Sequence, residues 1–261
     1  MRFAYMLFAY KVPTVSRRND RNRLEEQQFL ASYDPSQFDR PSVTVDVVIL
    51  TLRAGRLEVL LTQRKEHPFK GFWSLPGGFV GMQESLDEAA ARVLRSKGGL
   101  EGVYLEQLYT FGAPQRDPRT RVISVAYYAL VEPGRIQERE GNALFRVVVP
   151  WEGEAGGPVE VEGGRSRRHP LAFDHAEILG MAVRRIRGKL EYAPIGFELL
   201  PERFTLRQLQ QVHETILGRK LNKDSFRRRM LASGRLEPTG ELESGTGYRP
   251  AELYTFKKDR P

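Results

Sequence analysis

The chain has no cysteine among its 261 residues. That excludes disulfides, thiolate zinc sites and cysteine nucleophiles, and it fits a reducing compartment such as the cytoplasm. Long apolar runs are missing too. The most apolar stretch at the N-terminus, residues 1–10, is about half of the ~20 residues that a membrane-spanning helix needs. It has no small-residue cleavage site and runs into Arg17, Arg18, Arg21 and Arg23, so we expect neither a span nor a signal peptide. There is no internal repeat. Acidic residues are in deficit, 33 Asp and Glu against 41 Lys and Arg, giving a formal net charge of +8. Such an excess either favours polyanionic partners, nucleic acid foremost, or only solubilises the surface, and its location must decide which. A hydrophobic content of 40% is enough for a core in each of two domains, the number this length suggests.

Residues 13–42 are polar and punctuated by proline, and read as a tail with an entry loop, disordered in part. From Val43 the run VTVDVVILTL is β-branched and nearly all apolar, as in a strand buried on both faces. Ala54-Gly55 marks a turn into a second strand, LEVLLT, so the two should form a hairpin. A glycine-rich loop, GFWSLPGGFVG, leads to a helix with Ser85 and Glu88 at capping-box spacing and an apolar stripe of Leu86, Ala89, Ala90, Val93 and Leu94. Gly98-Gly99 should end it. Strands are expected at 104–111, 121–131 and 145–150, and a helix from Asp174. Residues 132–170 otherwise read as loops or disordered insertions, GEAGGP and EGGRSRR among them. Strands and helices in this order give an α+β fold.

The loop and helix carry a specific pattern: Gly78, Glu84, Arg92, Leu94, Gly99 and Leu100 in fixed register, preceded by Leu75-Pro76-Gly77. It resembles the Nudix motif, G, five residues, E, seven residues, then REUxEExGU. The three remaining glutamates of that motif would stand at 93, 96 and 97, where this chain has Val93, Ser96 and Lys97. Positions i, i+3 and i+4 share a helix face. In active members of the family that face gathers carboxylates around magnesium, a hard cation that needs oxygen ligands. With an aliphatic, a hydroxyl and a cation there, no catalytic residue, metal or cofactor is expected, unless remote acids rebuild a metal site. Such a site can still bind. Glu84 survives, and Arg92 and Lys97 can meet phosphate directly. Trp73, beside Phe72, can stack on a base or simply pack in the core. The loop Arg116-Asp117-Pro118-Arg119 resembles the nucleoside-diphosphate-facing loop of ADP-ribose-recognising Nudix proteins; the alternative for Arg116 and Arg119 is solvated loop charge.

The charge excess concentrates at the C-terminus. Residues 201–261 hold 13 Lys and Arg against 8 Asp and Glu. A capping box at Thr205 and Gln208 opens a helix, a short RKLN break follows, and a second helix covers 223–232. Two β-like runs around GELESGTGY then complete the plan of a winged helix-turn-helix. In the second helix Phe226 and Met230 should face the core, leaving Lys223, Ser225, Arg227 and Arg228 outward to enter a major groove. Arg235 and Arg249 flank the wing and suit phosphate.

Together the halves resemble the Nudix-related transcriptional regulators of NAD metabolism. The likeness spans residues 28–261 and includes RPSVTVDVVI, HPFKGFWSLPGGFV, RDPRTRVISVAYYALV, LAFDHAEIL and RPAELYTF. It implies a Nudix α/β/α sandwich at residues 43–190 that senses ADP-ribose or a related nucleotide, and a winged helix-turn-helix at 191–261. It further implies a cytoplasmic homodimer on a palindromic operator in double-stranded DNA, repressing NAD biosynthesis or salvage genes, with no membrane role. The tail at 1–42 and the insertion at 153–168 depart from the family pattern. The competing readings are an active Nudix hydrolase of ADP-ribose with an accessory C-terminal domain, and a nucleotide-binding adaptor that contacts protein.

Overall fold

The computed structural model describes residues 18–164, 167–244 and 250–257. The chain divides into two compact units, Met1–Arg40 and Pro41–Pro261. The first contains helix α1 (Arg18–Ser32) and a 3-10 turn at Pro35–Gln37, capped by Asp34, whose carboxylate accepts the Ser36 N–H at 2.9 Å. The sequence reading of tail and loop is therefore corrected here. RNDRNRLEEQQFLAS holds neither glycine nor proline and forms a helix without an amphipathic stripe, because propensity needs no core-facing period. Residues 1–10 lie outside the described residues.

The second unit begins with a twelve-residue strand, β1 (Ser42–Arg53), whose apolar alternation serves two faces. It pairs antiparallel with β2 (Arg56–Gln63) and parallel with β6 (Val122–Leu130). The sheet runs β5 (Tyr104–Phe111), β6, β1, β2, β7 (Asn142–Val148), β8 (Glu160–Gly163), β9 (Arg167–His169). Two short strands, β3 (Trp73–Ser74) and β4 (Gly77–Phe79), pair with β2 and β1. Val47 and Ile49 face helix α2 (Leu86–Val93), packing with Ala89, Ala90 and Val93. Val48 and Leu50 face helix α3 (His175–Lys189), packing with Ile178, Leu179 and Ala182. One strand buried on both faces thus organises an α/β/α sandwich, as its nearly continuous apolar run requires. Glu162, Gly163, Arg167 and Arg168, read as loop or disordered, instead pair in the β8–β9 ladder that extends the sheet; residues 165 and 166 lie outside the described residues.

Helix α2 is capped as expected: the Ser85 hydroxyl accepts the Glu88 N–H, and the Glu88 carboxylate accepts the Ser85 N–H. Its continuation, Leu94–Gly98, is a π-helical turn ending on Gly99, which holds a left-handed φ of 68°. A Cβ at Gly98 would meet the end of the Ile49 side chain at 2.9 Å, so a larger residue there would have to displace that side chain.

The C-terminal part follows the winged helix-turn-helix plan. β10 (Phe204–Thr205), α4 (Leu206–Leu217), α5 (Lys223–Ala232), β11 (Leu236–Leu242) and β12 (Glu252–Phe256) occur in that order, and the three strands form one sheet. Thr205 and Gln208 form the capping box, and Phe204, Leu209, Phe226 and Tyr254 form the core with Met230 partly buried against it. His213 in α4 sits edge-on to Phe226 with ring centroids 5.1 Å apart. Burial, aided by Arg229, holds it neutral and pushes its pKa down to about 4. The folded value lies below the unfolded one, about 6.5, so its contribution is complete above pH 6.5 and is lost as pH falls toward 4. H213F is expected to flatten the loss of stability between pH 6.5 and 4, by roughly 3 kcal/mol. Chemical denaturation at both pH values checks this, and an unchanged pH slope in the variant would refute it.

Candidate functional site

The strand order brings the ends of β1, β4 and α3 and the loop before β6 around a cleft of about 250 Å³. Its floor is an ion network that the sequence reading missed. Asp46, a charge in the middle of an apolar strand, is 7% exposed. Its carboxylate accepts the Ser124 hydroxyl and lies 3.6 Å from Arg116 and 3.7 Å from His175. Arg116 is buried and donates two hydrogen bonds to Asp174, at 2.9 and 2.7 Å. His175 accepts the Leu75 N–H on Nδ1 at 2.9 Å, and burial holds its pKa below the usual histidine value. The alternative of solvated loop charge for Arg116 is therefore corrected: the side chain is buried in the cleft lining and neutralises Asp174 and Asp46. A charged residue inside an otherwise mostly apolar strand was the signal for Asp46. Nothing local marked Asp174 as its indirect partner.

Above this floor stand cations and aromatic faces. Asp117 accepts three hydrogen bonds from Arg119, two from its guanidinium and one from its backbone N–H, and the guanidinium holds its carboxyl below the usual range. The Arg119 guanidinium is left 5.7 Å from the Phe79 ring and 6.0 Å from that of Phe173, and the Arg64 guanidinium lies 4.7 Å over the Phe173 ring. Phe173 has a φ of 54°, a conformation that costs a non-glycine residue about 1–3 kcal/mol, and it keeps its ring against both guanidiniums. Arg64, Phe79 and Phe173 were not anticipated from sequence.

The Nudix-like positions separate into two sets. Glu84 and Arg92, which match the motif, bind each other: Arg92 donates to both Glu84 oxygens at 2.9 and 2.5 Å and to the Phe79 carbonyl at 2.9 Å. Gly81 N–H adds a third bond, and the Arg92 hydrogen bonds, foremost, push the Glu84 pKa down to about 2. This pair ties the loop to α2; neither residue lines the cleft. Trp73 does not line it either, and its ring packs on Phe145 with centroids 4.7 Å apart. The three positions that depart from the motif also part company. Val93 is 1% exposed in the α2 core, Ser96 is exposed outside the cleft, and Lys97 alone lines it. The π-helical turn breaks the shared face that regular α-helical spacing predicts.

Lys97 donates to the carbonyl of Gly77 at the cleft wall. Desolvation holds its pKa below the usual lysine value, with Asp46 partly opposing. A divalent cation does not fit beside this ammonium. Among the described residues, no group of three Asp, Glu or His side chains is placed to hold a metal ion. The cleft presents Lys97, Arg64 and Arg119 with two phenylalanine faces, a combination suited to an anionic ligand with a planar ring.

A second surface lies on the C-terminal fold. Asn222 caps α5 by accepting the Ser225 N–H at 2.9 Å, and Lys223, Ser225, Arg227 and Arg228 are exposed. Lys223 and Arg227 line a groove of about 600 Å³ between α4, α5 and β12, together with Arg207 from the first turn of α4, which sequence reading passed over. Arg228 is not part of that lining. Arg235 is exposed and donates to the Tyr192 carbonyl at 3.1 Å. Arg249 lies outside the described residues.

A sheet between α2 and α3 with this loop and helix, followed by a winged helix-turn-helix, defines a Nudix-fold protein joined to a DNA-binding module. The NUDIX domain family matches residues 40–154, and the NrtR DNA-binding winged helix domain family matches residues 196–256. The chain is 38% identical over 237 residues, 90% of each protein, to the ADPR responsive transcriptional repressor NtrR of Acinetobacter baylyi. It also resembles the crystal structure of Shewanella oneidensis NrtR complexed with a 27mer DNA, with a TM-score of 0.70 at 36% identity, covering 82% of this chain and 93% of that one. A MutT/nudix family protein from Enterococcus faecalis gives a TM-score of 0.73 at 27% identity, covering 94% and 100%. The chain belongs to the NrtR family.

Proposed function

We propose that this chain is a cytoplasmic transcriptional repressor whose Nudix-fold domain, residues 43–190, senses ADP-ribose or a closely related nucleotide without hydrolysing it. Residues 191–261 bind a palindromic operator as part of a homodimer, and the regulated genes serve NAD biosynthesis or salvage. Lys97, Asp117 and Arg119 contact the ligand, joined by Arg64, with Phe79 or Phe173 against the base. Lys223, Ser225, Arg227 and Arg228 meet bases, while Arg235 and Arg249 meet phosphates.

The observation that carries this reading is the Lys97 ammonium on the Gly77 carbonyl, a cation of the chain's own where active relatives gather metal-holding carboxylates. The relative from Acinetobacter baylyi, described as ADPR responsive, supports the choice of ligand. Among the described residues, no helix is long and apolar enough to cross a membrane.

The test incubates the purified chain with ADP-ribose and Mg²⁺ or Mn²⁺ and follows both products and melting temperature. No products are expected. Ligand at a hundred times its dissociation constant should stabilise the fold by about 2.7 kcal/mol. Turnover near one per second, an ordinary enzyme rate, would make the protein a hydrolase. No thermal shift with any pyrophosphate nucleotide would remove the sensor role.

A further inference from the structure

Helix α3 reaches from the nucleotide cleft to the helix-turn-helix. At its start, Asp174 takes both hydrogen bonds from Arg116, and His175 holds the Leu75 N–H beside Asp46. Its 15 residues span about 22 Å at 1.5 Å per residue. Near its far end Arg187 is 6% exposed. Its Nε donates to the Ile216 carbonyl at 2.8 Å and its Nη1 to the Gly153 carbonyl at 2.8 Å, and its guanidinium lies 4.7 Å over the Trp151 ring.

The chemistry of that contact is unusual for a buried charge. An ion out of water is normally paired with an opposite ion, whereas the hydrogen bonds of Arg187 go to backbone carbonyls. Ile216 stands in the last turn of α4 (Leu206–Leu217), where carbonyls lack partners within the helix and the helix dipole is negative. Arg187 thus supplies from α3 a donor for the Ile216 carbonyl, next to the Gly218 N–H that closes α4 on the Glu214 carbonyl. Gly218 and the turn that follow lead directly into α5. The last turn of α3 is also pinned to β5, where Lys189 meets Glu106 at 2.6 Å and Arg185 donates to the Leu108 carbonyl at 3.0 Å. The far end of α3 is thus held against both β5 and the end of α4.

We infer that α3 is the lever between effector and operator, and that Arg187 is the positioning residue that passes a shift at the cleft to the end of α4, and so to the presentation of α5. This deepens the proposed function and rests on it.

The test uses the full chain and reads the ratio of operator dissociation constants with and without saturating ADP-ribose, in wild type, R187M and R187K. Methionine keeps the apolar packing on Trp151 but donates nothing. The wild-type ratio should fall within the usual allosteric range of about 5–150-fold. R187M should bring it close to unity while ADP-ribose affinity stays at the wild-type level, and R187K should restore part of it. A loss of packing alone would lower the melting temperature and leave the ratio unchanged. An R187M ratio equal to wild type overturns the inference and leaves the functional reading standing. A wild-type ratio of one removes the functional reading and the inference with it. Amide exchange at Gly218, whose N–H donates to the Glu214 carbonyl at 2.9 Å, gives a variant-free check. ADP-ribose should change its protection in the wild type, and unchanged exchange there overturns the inference even if R187M fails to fold.

Discussion

Replacing Arg227 and Arg228 together with alanine is expected to abolish operator-specific binding while leaving the fold and the ADP-ribose response of melting temperature intact. Both side chains are exposed on α5, whereas the helix is seated by Phe226 and partly by Met230. An arginine reading a guanine edge contributes about 1–3 kcal/mol, so two such losses amount to about thirtyfold or more. The structure separates the pair. Arg227 lines the groove shared with Lys223 and Arg207, and Arg228 lies outside that lining, so R227A should cost more than R228A. Titration against the gene's own upstream DNA and against random DNA, at two salt concentrations, measures this. R235A should weaken both DNAs alike and flatten the salt slope by about 0.9 per lost phosphate contact. A double variant that still prefers its operator as wild type does would take α5 out of the recognition role.

Arg116→Ala is expected to destabilise the Nudix-fold part severely, and Arg119→Ala to weaken ligand binding in a protein that melts normally. The two arginines are three residues apart in one loop, yet their surroundings are opposite: the Arg116 side chain is 4% exposed between Asp174 and Asp46, and the Arg119 side chain is 44% exposed. Breaking a buried ion pair by removing one partner costs about 3–5 kcal/mol, because the other charge is left without compensation. For a protein of this size that lowers the melting temperature by roughly 6–20 °C. Thermal unfolding of both variants, with calorimetric titration of ADP-ribose into R119A, checks the contrast. An R116A protein that melts within a degree or two of wild type would mean that the buried network carries no stability.

These two arginines also mark how far the sequence could be read. RDPR at 116–119 was legible as a functional loop, but which arginine faces outward depends on Asp174, 58 residues away and on another element. The same limit applies at the motif. The register of Gly78, Glu84 and Arg92 was plain, and so was the replacement of acids at 93, 96 and 97. That Glu84 and Arg92 spend their charge on each other was not plain, since a spacing of eight residues across the start of a helix does not reveal a bidentate contact. Trp73 illustrates the reverse: stacking on a base and packing in the core demand the same side chain, and only the position of Phe145 chose between them.

The local decisions belonged to the sequence by itself: two capping boxes, the strand buried on both faces, the helix ending at Gly98-Gly99, and a second basic helix with Phe226 turned inward. Each follows from interactions within a few residues or from the period of apolar side chains, which are properties of a one-dimensional string. Tertiary structure decided what required distant partners. It carried Lys97 through a π-helical turn and set it against Gly77. It built the cleft floor from Asp46, Arg116, Asp174 and His175, and seated Arg187 on the end of α4. A buried charge has no defined role until the fold supplies what compensates it, because the cost of its desolvation is offset only by groups brought near in space.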